Sequence, residues 1–193
     1  MAAIEVGKRF FAAAQWATEL HTPPGSGAPS VAQVLGVASL VLGDGGSQRE
    51  AIAGMIVDAS RSGTVARREI RKRLGKKTAR LVDACTAALR EPERLDQDAD
   101  PPVLRVCAAI TVHDAQALVR EVRRHGSVAF ARFPSPPNEV LNRYRSLVAV
   151  FHRRLGRTTM LTPDLRSVLA ELEREAELDT AIAAWRVAHV DAA

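Results

Sequence analysis

The stretch from Val103 to Val112 constrains the fold more than any other part of the chain. Val103, Leu104, Val106, Cys107, Ala108, Ala109, Ile110 and Val112 leave no side of a helix wholly polar, and a helix that is apolar all round has to be buried on every side. Such a helix belongs in the middle of a bundle, and the charged residues towards Arg124 mark where it leaves the core. Composition points the same way. Hydrophobic residues make up 47% of the 193 residues but aromatics only 4%, so the core is built of Ala, Leu, Val and Ile and lacks the aromatic residues that enrich strands.

The remaining segments read as helices separated by breakers. Phe10, Phe11, Ala14, Ala17 and Leu20 lie at helical spacing within 4–21, and Thr22-Pro23-Pro24-Gly25-Ser26-Gly27 ends that helix. Val31, Val34, Leu35, Ala38 and Leu42 give a second, stopped by Gly43-Asp44-Gly45-Gly46. Ser47 with Glu50 forms a capping box, in which each side chain satisfies an orphaned backbone N–H, and starts a third helix that runs to about Ser60. Thr64 is expected to cap a short helix ending at Leu74, with Gly75 separating it from another that reaches about Leu89. Arg90 to Pro102 reads as a solvated acidic linker. Its Asp96, Asp98 and Asp100 lack the glycine and terminal glutamate of a calcium loop. Ser135-Pro136 starts a helix to about Leu155, and Thr162-Pro163 starts the last. No strand pattern or internal repeat emerges. The expectation is an all-α bundle of roughly eight helices in a single domain over 1–193.

The two cysteines, Cys85 and Cys107, sit in apolar helical stretches without zinc or disulfide spacing and are expected to be buried free thiols. Glu5 and Lys8 occupy the place of a leader's apolar run, and no segment reaches spanning length without charge. A cytoplasmic protein with no membrane partner is expected. The net charge of +5 permits an anionic partner such as a nucleotide without requiring one.

In order and spacing, several pieces resemble the hydrolase domain of the RelA/SpoT enzymes and their small stand-alone relatives, within the HD-domain superfamily. They are Phe11-Ala12-Ala13-Ala14-Gln15-Trp16-Ala17 with Leu20-His21, Gly25-Ser26-Gly27-Ala28-Pro29 and Val37-Ala38-Ser39-Leu40-Val41-Leu42. Ala51-Ile52-Ala53, Asp58-Ala59 and Glu69-Ile70-Arg71-Lys72-Arg73-Leu74-Gly75 follow. Val82-Asp83-Ala84-Cys85-Thr86, Val112-His113-Asp114-Ala115 and Tyr144-Arg145-Ser146-Leu147-Val148 complete the set. The resemblance runs from about residue 10 to 172 and leaves 173–193 as a C-terminal helical tail.

The resemblance implies an HD-domain-like fold and a guanosine polyphosphate pyrophosphohydrolase ancestry. In that family a divalent metal, commonly manganese, is held by a His on the second helix, an adjacent His-Asp pair on the third and an Asp on the later central helix. Those positions correspond here to Gln33, Val57-Asp58 and Ile110. Asp58 is the only remaining ligand, and neither an amide carbonyl nor an alkyl group replaces an imidazole or a carboxylate. No bound metal or other cofactor is expected. The acidic pair that assists attack in the family falls on Arg61-Ser62, and the basic residues after the first-helix His are Thr22-Pro23-Pro24 after His21.

His21, Asp58, Arg61, Ser62, His113 and Asp114 are the polar residues expected to line any surviving pocket, as hydrogen-bonded structural groups or as a rearranged metal or acid–base site. Arg67, Arg71 and Lys72 belong to the densest basic segment, Arg67 to Arg80, which is either a solvated helix face or an anion-binding surface. Nucleic acid is disfavoured because no aromatic platform is interleaved with the charges. Trp185 and His189 lie in an apolar tail that either packs internally or docks a partner. Three functions follow: a catalytically degenerate binding or regulatory module, with a guanine nucleotide in the old cleft as a candidate ligand; an active phosphohydrolase with a rebuilt site; or a basic adaptor for nucleic acid or protein.

Overall fold

Pro101–His125 forms the long central helix that the apolar run requires, here α7, with Pro101 and Pro102 in its first turn. The computed structural model describes the backbone of residues 7–21, 29–156 and 159–189 and the side chains of 7–20, 31–156 and 159–177. In chain order the other helices are α1 (Lys8–His21), α2 (Pro29–Gly43), α3 (Gln48–Arg61), α4 (Arg67–Leu74), α5 (Lys76–Arg90), α6 (Glu93–Gln97), α8 (Pro137–Leu155) and α9 (Leu161–His189). A 3-10 helix, Gly126–Arg132, joins α7 to α8. There is no strand among the described residues. The fold is an all-α helical bundle.

α7 packs against α2, α3 and α5 on one side and α8 and α9 on the other, while α3 packs also on α1, α2 and α5. Buried apolar side chains from all these helices join in one continuous cluster. Helices α2 and α3 approach closely at Gly54, where an added Cβ would come within 2.8 Å of Val37 Cγ1. Pro101–Arg132 has the length and mean hydropathy of a membrane span, yet 67% of its most apolar window is buried inside the protein. This is the character of a bundle's central helix. Both cysteines are buried and free, with Cys107 Sγ 3.9 Å from the carbonyl oxygen of Cys85.

The capping box is as expected: Ser47 Oγ accepts the Glu50 N–H, and Glu50 Oε1 accepts the Ser47 N–H at 3.2 Å. Other boundaries differ from the sequence reading. Thr64 does not cap α4. Its hydroxyl pairs with that of Ser62 at 2.8 Å, and the helix starts after Ala66 without a side-chain cap. The Arg90–Pro102 segment is not a simple linker, because α6 buries Leu95 and Arg154 binds the carbonyls of Leu95, Asp96 and Ala99. α8 begins one residue later than expected, with Pro137 as its first helical residue. α9 begins at Leu161, so Thr162 lies inside it and caps nothing. The Leu161 N–H goes to Thr159 Oγ1 at 3.1 Å, and Asp44 Oδ1, from the end of α2, takes the Met160 N–H at 2.7 Å. The expected 173–193 tail is continuous with α9 as far as His189. The side chains of Trp185 and His189 lie outside the described residues.

Candidate functional site

Helices α2, α3 and α7 pack against one another, and each carries residues singled out in the sequence. The amide Nε2 of Gln33, on α2, donates to Asp58 Oδ2, on α3. Arg61, one turn further along α3, donates through Nη2 to Asp58 Oδ1 at 2.9 Å. Both oxygens of this carboxylate are therefore engaged, one by a neutral amide and the other by a guanidinium. Val57 and Ile110 are 0% and 2% exposed and form part of the apolar core. Among the described residues no three His, Cys, Asp or Glu side chains converge in the way a metal centre requires.

His113 follows Ile110 by one turn of α7. A Cβ at Gly36 of α2 would stand 2.5 Å from its Cδ2 and 2.6 Å from its Nε2, so only glycine fits this close approach. Its Nδ1 is buried with no hydrogen-bond partner among the described residues. Burial lowers the imidazole pKa and the charge of Arg120 adds to this, against the opposing pull of Asp58. The ring is neutral at pH 7.

Asp114 has the most strongly displaced carboxyl here. Burial pushes its pKa up to about 7 and the charge of Asp58 contributes, while Arg61 and Arg132 hold it back. Tyr144, on α8, is pushed up to about 12 by burial and then by the charge of Asp114. The result is a half-buried cluster with one neutral base, one carboxyl poised near neutrality and one carboxylate tied to a cation. Such groups can exchange protons or bind a polar ligand.

Of the residues expected to line the pocket, Asp58, Arg61, His113 and Asp114 are electrostatically linked. Ser62 is turned instead to its own helix end, donating to the carbonyl of Ala59 at 3.2 Å. The side chain of His21 lies outside the described residues. In the basic segment, Arg67 is paired with Asp83 at 2.6 Å, and Arg71 and Lys72 are exposed on α4. Gly36, Arg132 and Tyr144 were not among the expected site residues. Arg132 ends a 3-10 turn with no periodic pattern to reveal it, and the need for Gly36 depends on a ring about 75 residues away in sequence.

The HD-domain family model matches residues 13–132, more than half of the chain, and the chain belongs to that family. The match covers α2, α3 and α7 and hence Gln33, Asp58, His113 and Asp114. Among curated proteins none matches the chain.

Proposed function

We propose that this HD-domain protein has lost the metal chemistry of its fold and acts as a binding or regulatory module. The HD fold is that of metal-dependent phosphohydrolases. The observation that carries the reading is the engagement of Asp58 by both Gln33 and Arg61. A divalent ion at Asp58 would have to displace a guanidinium, and on the RelA/SpoT-type correspondence its other neighbours would be a weak amide and two alkyl side chains. The residues present do not fit the metal. What this chain's own groups offer is a polar cluster of moderate charge, in which Arg61 and Arg132 counter the effect of burial and Asp58 on a partly protonated Asp114. The guanosine polyphosphate ancestry makes a guanine nucleotide the first ligand to test there.

Incubation of the protein with guanosine tetraphosphate and manganese is expected to release no more pyrophosphate than an Asp58→Ala control. Release well above that control would overturn the reading. It would favour a second one, a rebuilt phosphohydrolase site, for which the displaced pKa of Asp114 beside the unpartnered Nδ1 of His113 is the specific support. In that case activity would be lost in Asp114→Asn and would follow a titration near pH 7.

A further inference from the structure

The basic segment of α4 and α5 does not stand alone in three dimensions. Its glycine break at Gly75, where φ is +85°, brings Arg73, Lys76 and Lys77 to one wall of a groove of about 800 Å³. Arg9 from α1 and Arg49 from the first turn of α3 line it as well. Among the described residues no carboxylate lines this groove. Arg9, Arg49, Lys76 and Lys77 are in no ion pair among the described residues, whereas Arg73 is fixed by Glu69 at 3.2 Å and lies over the Trp16 ring at 4.9 Å.

Two further features face the same space. The first turn of α5 has no side-chain cap, leaving its N–H groups and the positive end of the helix available to an anion. Thr78, in that turn, is 6% exposed and lines the groove. The first turn of α3, by contrast, is closed by its capping box. Ser47 and Asp58 are separated along α3 by about 16 Å at 1.5 Å per residue, so the groove lies at the opposite end of this helix from the Asp58 cluster.

We propose that this groove is an anion site for a small ligand carrying two or more linked phosphates. Arg9, Arg49, Lys76 and Lys77, four unpaired cations with no lining carboxylate among the described residues, exceed what one phosphate requires, and their spread across α1, α3 and α5 suits a phosphate chain. The volume falls within the range of about 300–1,000 Å³ usual for small-molecule sites. A nucleic-acid strand is disfavoured because Trp16 is 5% exposed and Arg73 covers its ring, which removes the stacking platform that single strands use. This site is independent of the proposed loss of metal chemistry in the Asp58 cluster.

Isothermal titration calorimetry with tripolyphosphate tests the proposal on the full chain. Wild-type protein should bind at one site. Lys76→Ala/Lys77→Ala should weaken binding at least tenfold, Thr78→Val several-fold, and Lys76→Arg/Lys77→Arg should retain it. Arg71→Ala/Arg80→Ala removes the same charge from exposed positions outside the groove and should change affinity less than twofold. Equal losses in the groove and control variants would show diffuse attraction and overturn the site, as would absence of binding by the wild type. A nucleoside triphosphate binding more tightly than tripolyphosphate would extend the site to the nucleoside, and equal affinities would confine it to the phosphate chain. A short single-stranded RNA that binds more tightly than either and is not displaced by them would overturn the proposal in favour of a nucleic-acid surface.

Discussion

The two ends of α3 carry buried polar clusters that differ in how completely their charges are matched. At the N-terminal end, Asp44 accepts from Arg105 Nε at 3.1 Å, from Thr159 Oγ1 at 2.7 Å and from the Met160 N–H at 2.7 Å. Glu50 accepts from Arg105 Nη1 at 2.6 Å and from Ser47. Each carboxylate has several donors, and together they join α2, α3, α7 and the start of α9. At the C-terminal end, Asp58 is tied to a half-exposed arginine, His113 has a buried nitrogen without a partner among the described residues and Asp114 holds its proton to about pH 7. The first arrangement stabilises the bundle. The second costs stability, as displaced titratable groups in a partly buried cluster do.

The largest contrast should come from removing one arginine at each end. Arg105→Met leaves Asp44 and Glu50, whose side chains are 3% and 10% exposed, without their cation and should cost about 3–5 kcal/mol in urea unfolding. Arg61→Ala removes a 47%-exposed partner of Asp58 and should cost no more than about 1 kcal/mol. Similar losses would show that the clusters do not differ in the way described.

Next in size is a pH effect confined to the C-terminal cluster. The carboxyl of Asp114 ionises near 3.8 when unfolded and near 7 when folded. Between these values the folded state binds more protons, so stability is highest below the unfolded pKa and falls as pH rises towards the folded one. From pH 4 to 7.5 the wild type should lose about 2–4 kcal/mol more than Asp114→Asn. Parallel stability curves for the two proteins would remove Asp114 from the account.

A smaller effect sharpens the packing side of the comparison. Gly36→Ala drives a methyl group against the His113 ring and should cost about 1–3 kcal/mol. Gly36→Ala in a His113→Ala background should recover most of that loss in thermal melts. An additive double mutant would place the strain elsewhere.

Where local chemistry decides, the sequence was a sufficient guide. The all-round apolar run made α7 legible, Ser47 with Glu50 the start of α3, and Gly75 the break between α4 and α5. It failed where distant residues supply the cap. Thr162-Pro163 looks like a helix start, but Asp44 holds the Met160 N–H across the fold and sets the helix beginning earlier. α6 was missed because its hold comes from Arg154, far along the chain. Asp58, Arg61, His113 and Asp114 were legible only through their places in the resemblance to the RelA/SpoT hydrolase domain. The basic groove was not, since Arg9, Arg49 and Lys76 meet only when α1, α3 and α5 pack.

The central claim, that the C-terminal cluster of α3 no longer supports a metal, is tested most directly by melting temperature in chelator and in manganese. Wild-type protein should melt at the same temperature in both. Gln33→His/Val57→His/Ile110→Asp should melt lower in chelator, because unpaired imidazoles and a carboxylate replace an amide and two buried alkyl groups, and should rise with manganese through linkage. A manganese-induced rise in the wild type that disappears in Asp58→Ala would contradict the account.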